Sequence, residues 1–217
     1  MNAIERAMNH VNSAGCSDLT TVRQDTPRSG ASARGGVGWG VAAPRILGGS
    51  AKGRALRTPA HGTRPSPARL RAALFDALAF EPRGVFLDLY AGSGAVGLEA
   101  ASRGWRAILV ERSTAAARLL RENARACGLD VLVVQGDALA SLARFTGAVD
   151  VAFVDPPFDL DLDATFQSVL ERAPVRPGGR YVFQHPTNRV PTLRHGEAPA
   201  TLETRRYGSN ALSTLRL

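Results

Sequence analysis

The chain has 217 residues, 44% of them hydrophobic, enough for one domain with a sizeable core plus tails. No apolar run approaches the ~20 residues of a membrane-spanning helix, and the N-terminus carries no signal-peptide core. Membrane and secreted classes are thereby disfavoured, and the cytoplasm is the expected compartment. The formal net charge of +8 favours a polyanionic partner. Lys52 is the only lysine, however, and an arginine-dominated excess also follows from a GC-rich genome. The placement of the charge is therefore more informative than its total. Cys16 and Cys127 stand far apart in unrelated contexts, a pattern for neither zinc nor a disulfide framework, and no metal site is expected.

Residues 1–44 have few periodic apolar positions and many Ser, Thr, Gly, Asn and Arg residues. They are read as a disordered extension. A second reading is a start codon placed too far upstream, with initiation at Val37 or Val41. Order is expected from residue 45 to 217. Arg45 to Arg71 holds Arg45, Lys52, Arg54, Arg57, Arg64, Arg69 and Arg71 and no acidic residue. Gly48, Gly49 and Gly53 suggest a short hairpin, so 45–66 is read as a basic arm. Such a run is usually a solvated face; its density makes phosphate contact by Arg45, Lys52, Arg54, Arg57 and Arg64 the better reading.

Leu70, Ala73, Leu74, Ala77 and Leu78 recur at helical spacing after Pro67, with Ser66 as the expected cap and an end near Phe80. Val85 to Tyr90 reads as the first central strand. It runs into Ala91-Gly92-Ser93-Gly94-Ala95-Val96-Gly97 and a helix through Ser102. Strand, glycine turn and helix begin a doubly wound nucleotide-binding fold. Gly92-x-Gly94-x-x-Gly97 alone is a weak fingerprint and also suits a nicotinamide dehydrogenase. Ala107–Val110 is a second strand ending at Glu111, a carboxylate placed to accept from ribose hydroxyls or simply to sit at a strand end. A helix over 113–127 and a strand over 131–134 follow, and Asp137 stands where it would cap a helix over 138–145.

Val149 to Val154 is a nearly unbroken apolar run, as in a strand buried on both faces of a parallel sheet. It stops at Asp155-Pro156-Pro157-Phe158, where two prolines end any ladder. A stiff turn is thus expected at the carboxyl end of a central strand, where open α/β sheets bind ligands. It displays a carboxylate, a proline carbonyl and an aromatic face. The plain alternative is a structural Pro-Pro turn with Asp155 as a cap. The chemical reading is more specific. An exocyclic base amine is a poor nucleophile because its lone pair is delocalised into the ring. Asp155 and the Pro156 carbonyl could accept from such an NH2, and Phe158 could stack on the base. Beyond the turn, a helix is expected after Asp163 to about Arg172. Pro177-Gly178-Gly179 reads as a turn into a strand over 180–184, and 202–207 with 211–217 as a closing antiparallel hairpin. His185 is read as structural.

Asp155 to Phe158 resembles the (Asn/Asp)-Pro-Pro-(Tyr/Phe) motif of amino-methyltransferases using S-adenosylmethionine (SAM). Asp88, four residues before Gly92, matches the Asp-x-x-x-Gly-x-Gly motif of class I methyltransferases. Together with Arg45-Ile-Leu-Gly-Gly49, Gly53-Arg54, Arg64-Pro65, Leu74-Phe75 and Asp88 to Gly104, these motifs resemble the RsmD-type 16S ribosomal RNA guanine-N2 methyltransferases over residues 45–217. The resemblance implies an α/β, seven-stranded, mostly parallel Rossmann-like sheet closed by a C-terminal antiparallel hairpin. It implies SAM as cofactor, held around Asp88, Tyr90, Ala91, Gly92, Ser93, Gly94, Glu111 and Asp137, the last meeting the adenine amine. It implies a catalytic turn of Asp155, Pro156, Pro157 and Phe158. The substrate would be a guanine of small-subunit ribosomal RNA, reached by a monomer in the assembled 30S particle. The family's Arg-Pro-Thr-x-Asp-Arg-Val-Arg-Glu becomes Arg64 to Ala72 here: Ser66 keeps a hydroxyl, while Ala68 and Ala72 replace two acids. Two rival functions use some of the same residues: an adenine-N6 methyltransferase of DNA or RNA, and a non-catalytic RNA-binding assembly factor.

Overall fold

A computed structural model describes residues 19–22, 43–58 and 66–217. An eight-stranded sheet forms its centre, in the order β1-β4-β3-β2-β5-β6-β10-β9. The strands are β1 (Leu19–Val22), β2 (Val85–Asp88), β3 (Arg106–Glu111), β4 (Val131–Gln135), β5 (Val149–Val154), β6 (Val175–Pro186), β9 (Glu203–Tyr207) and β10 (Asn210–Arg216), with β7 (Arg194–His195) and β8 (Ala198–Pro199) forming a separate small ladder. β4, β3, β2, β5 and β6 run parallel. β10 pairs antiparallel with both β6 and β9. The doubly wound sheet and its closing hairpin are those expected.

The helices are α1 (Ala68–Ala77), α2 (Gly97–Ser102), α3 (Thr114–Cys127), α4 (Ala138–Ser141) with a short 3-10 turn to Phe145, and α5 (Leu162–Glu171). The sheet separates two layers of core. One gathers Leu87, Val110, Val154, Phe166 and Phe183; the other side gathers Leu98, Leu109, Leu120 and Val133, and Phe75, Phe86, Trp105 and Phe153. Coverage on both faces explains why β2 and β5 read as continuous apolar runs rather than alternating ones.

Two expectations are corrected. Leu19–Val22, within the stretch read as a disordered extension, pairs antiparallel with β4 and adds the eighth strand, with Val22 buried. Residues 1–18 and 23–42 of that extension lie outside the described residues. Pro177-Gly178-Gly179 is not a turn before a strand but an irregularity inside β6, where the pairing with β5 shifts register. Gly179 permits this because a Cβ there would meet the Asp150 carbonyl at 2.6 Å.

The basic arm forms the expected hairpin, with Arg45 bridged to Ala55. It is docked rather than projecting. Ile46, Ala51 and Leu56 are buried. The Ser50 amide donates to the Ser102 carbonyl at 2.8 Å, and the Ala51 amide to Ser102 Oγ at 2.9 Å. Gly49 is required at this contact: its φ is +79° and a Cβ would stand 1.8 Å from the Ser102 carbonyl oxygen.

Candidate active site

The sheet reverses its winding between β2 and β5, so a crevice is expected above their carboxyl ends. The Leu89 amide donates to the Phe153 carbonyl at 3.1 Å, which fixes these two strand ends side by side. Asp88 ends one and Asp155 follows the other.

Asp88 is buried, and its Oδ2 accepts from the Gly97 amide at 2.9 Å at the start of α2. Its Oδ1 has no partner among the described residues. Burial first, and then the charges of Asp155 and Glu111, push its carboxyl up to about 7, against the opposing pull of the Gly97 and Tyr90 amides. The glycine loop is shaped on both sides. Gly94, at φ +87°, lies where a Cβ would press on Leu98 at 2.9 Å, whereas a Cβ on Gly92, at φ +53°, would meet nothing within 4 Å. The loop is packed below and open above. Glu111 closes it from β3, its Oε2 accepting from the Gly92 amide at 2.8 Å and its Oε1 from the Ser113 amide at 2.6 Å. Each carboxylate oxygen retains a further lone pair for a hydroxyl donor.

Asp137 caps α4, accepting from the Ala140 amide at 2.9 Å. Burial first, and then the Asp137 charge, raise the Tyr90 phenol to about 12. Tyr90, Ala91 and Ser93 line the same loop; the Ala91 amide donates to the Val110 carbonyl at 3.0 Å, and the Ser93 carbonyl accepts from Asn123 Nδ2 at 2.9 Å. A buried unpaired carboxylate oxygen, a loop open above Gly92 and an acidic strand end fit a ligand with ribose hydroxyls and a cationic centre. The set fits SAM.

In the turn, Pro156 is buried, Pro157 is exposed and Phe158 is 53% exposed, leaving an aromatic face to the solvent. Asp155 is half-buried, and its Oδ2 accepts from Ser66 Oγ at 2.9 Å. Burial pushes the Asp155 carboxyl up to about 7, and the Ser66 hydrogen bond opposes that rise. Ser66 therefore does not cap α1 as expected. Pro67 holds the cap position with no side-chain hydrogen bond.

The basic residues divide. Lys52 and Arg54 are exposed. Arg45 donates to the Gly53 carbonyl at 2.9 Å, and Arg57 pairs with Glu122 at 2.9 Å on α3. Arg64 lies outside the described residues. Arg71, though part of the basic run, is 1% exposed and turned inward. It donates to the carbonyls of Arg45 at 3.1 Å and Ala95 at 3.2 Å. Buried Glu99, absent from the candidates drawn from sequence, accepts from the Leu47 amide at 2.6 Å and from Arg103 Nε at 2.7 Å. Its signal was an acid at an inward position of an otherwise apolar helix.

Fold and site together define a Rossmann-like protein of the class I methyltransferase type. A family model described as conserved hypothetical protein 95 matches residues 44–216, and the chain belongs to this family, that of the RsmD-type proteins. It is 41% identical over 118 residues to the Escherichia coli (strain K12) ribosomal RNA small subunit methyltransferase D, a match covering 52% of this chain and 60% of that one. A solved hypothetical protein of Thermus thermophilus superposes with a TM-score of 0.72 at 47% identity, covering 80% of this chain and 99% of that one. An RNA methyltransferase of Salinibacter ruber, solved with S-adenosyl-L-homocysteine, shares the fold at 17% identity with a TM-score of 0.55, covering 70% of this chain and 93% of that one.

Proposed function

We propose that this protein uses SAM to methylate the exocyclic N2 amine of a guanine in small-subunit ribosomal RNA, in the cytoplasm and within the 30S particle. One observation carries the reading: the Asp155 turn and the glycine loop follow adjacent strand ends at the winding reversal, joined by the Leu89 amide to the Phe153 carbonyl, and the Asp155 charge helps raise the Asp88 carboxyl. The E. coli relative's name supports the choice of RNA, and the likeness to RsmD-type motifs supports guanine over adenine.

SAM supplies a methyl group on a sulfonium, already a strong electrophile, so the protein's work is positioning and electrostatics. Glu111 is assigned to the ribose hydroxyls and Asp137 to the adenine amine; Asp88 holds the glycine loop through Gly97. Phe158 stacks an unpaired or flipped base. Asp155 and the Pro156 carbonyl accept from the amine and favour a pyramidal nitrogen, whose lone pair would then be free to take the methyl group as its bond to sulfur broke, with a neutral thioether as the leaving group.

The direct test is mass spectrometry of nucleosides from small-subunit RNA of wild-type cells and cells lacking this gene. Loss of N2-methylguanosine is expected; loss of N6-methyladenosine, or no change, overturns the assignment. Glu111→Ala should weaken SAM binding by about 1.5–3 kcal/mol, the range for hydrogen bonds to charged groups. Calorimetric titration checks it, and an unchanged affinity removes Glu111 from the ribose site.

Lys52 and Arg54 are the arm's candidates for phosphate contact, because both are exposed while Arg45 and Arg57 have partners within the protein. Changing both to Gln should lower the salt slope of RNA binding by about 0.7–0.9 for each phosphate left without its cation. The measurement is affinity for small-subunit RNA against salt, without SAM. An unaltered slope makes the arm's exposed edge a solvated face.

A further inference from the structure

We propose that Ser66 is a positioning residue for methyl transfer: its hydroxyl holds one oxygen of Asp155 so that the other faces the target amine. The inference rests on the methyl-transfer reading of the Asp155 turn. Ser66 Oγ and Asp155 Oδ2 are 2.9 Å apart, although 89 residues separate them in the chain. A serine in this place has an ordinary local use, as the cap of α1, and the structure gives it none: Pro67 occupies the cap and no side-chain bond is made there. The hydroxyl is spent on Asp155 instead.

The chemistry explains why one donor is useful. A carboxylate has two oxygens and rotates about its side-chain bond between broad wells. Asp155 follows β5 directly and precedes a proline, so its backbone is restricted to extended conformations. Its side-chain torsion is what remains to be set. The hydroxyl engages Oδ2 and orients Oδ1. It also favours the ionised form, which accepts from an NH2, over the protonated form, which would donate. The surroundings of Asp155 make this needed. Burial raises the Asp155 carboxyl, and Asp88, at the end of the neighbouring β2, is the acid that feels its charge. The Ser66 hydrogen bond opposes that rise.

The test compares Ser66→Thr with Ser66→Val, side chains of nearly equal shape that differ in the hydroxyl. The first readout needs no RNA: carbon NMR titration of the Asp carboxyls in unliganded protein. Asp155 should titrate as in the wild type in the Thr variant and at higher pH in the Val variant, with thermal unfolding midpoints alike. The second readout is methylation of 30S subunits from cells lacking this gene. Ser66→Val should lose about tenfold in kcat at pH 7, the equivalent of one hydrogen bond to a charged group. The KM for SAM should not change, the deficit should narrow as pH rises, and Ser66→Thr should restore the rate. A Thr variant as impaired as Val, a deficit equal at every pH, or a loss carried by KM for SAM overturns the proposal. Wild-type protein that leaves those subunits unmethylated refutes the functional reading instead, and the NMR comparison still decides the role of Ser66.

Discussion

Asp155→Ala should bind SAM as the wild type does and turn over about 10²–10³ times more slowly, the cost of removing one preorganised electrostatic partner. The separation of effects follows from the geometry. The loop assigned to SAM is held by Asp88, Glu111 and Gly97, and none of these bonds passes through Asp155. Asp155→Asn is the informative companion, since the related motif accepts either residue. It keeps an acceptor oxygen and cannot titrate. In the wild type, Asp155 must be ionised to accept, and burial raises its carboxyl to about 7. Activity should therefore fall as pH drops through about 7. In Asp155→Asn that dependence should vanish; if it persists, the titrating group is Asp88, whose carboxyl is raised to the same region. Stopped-time methylation assays between pH 6 and 9, with SAM affinity measured in parallel, separate these outcomes. A full wild-type rate in Asp155→Ala would end the catalytic reading of the turn.

The parts of this site that could be read from sequence are those whose cause is local. The β5 run and its stop at two prolines are local facts, and so is the glycine loop, where Gly92 and Gly94 adopt positive φ. Asp137 capping α4 was legible for the same reason. What escaped was set by distant partners. Ser66 reads as a cap because Ser-Pro before a periodic apolar run usually is one; only the folded sheet brings Asp155 to it. Leu19–Val22 is a short strand in a polar, low-periodicity stretch, and its pairing with β4 has no local signature. The Arg45–Arg71 run read as one basic surface. Folding divides it, leaving Lys52 and Arg54 outward and turning Arg71 into the core. Charge density along a chain does not report which side chains a later helix will cover.

That inward turn sets the largest expected loss of stability. Glu99 is 0% exposed and Arg71 1%, with Arg71 Nη1 3.9 Å from Glu99 Oε2. Arg103 completes the carboxylate's partners at 2.7 Å. Burial pulls the Arg71 guanidinium below its ordinary range, and the Glu99 charge opposes that pull. Glu99→Gln keeps the shape and removes the charge. Arg71 is then a buried cation with only carbonyls for company, and the cost of breaking a buried pair in this way is about 3–5 kcal/mol. That is a large fraction of the roughly 5–15 kcal/mol by which a domain is stable. The pair itself need not contribute that much, because both ions lost their hydration on folding. Replacing them together, with Glu99→Leu and Arg71→Met, should recover most of the loss. The recovery should be incomplete, since the Leu47 amide loses its acceptor and the carbonyls of Arg45 and Ala95 lose their donor. Urea unfolding of the wild type, Glu99→Gln, the two single variants and the double variant closes the cycle. A Glu99→Gln protein within about 1 kcal/mol of the wild type would mean that water or backbone movement neutralises Arg71 when the arm loosens. In that event the arm, not the pair, would be the weak point: its docking through Leu47 and Ser102 would open before the sheet does, and amide exchange at Leu47 and Ala51 would show it.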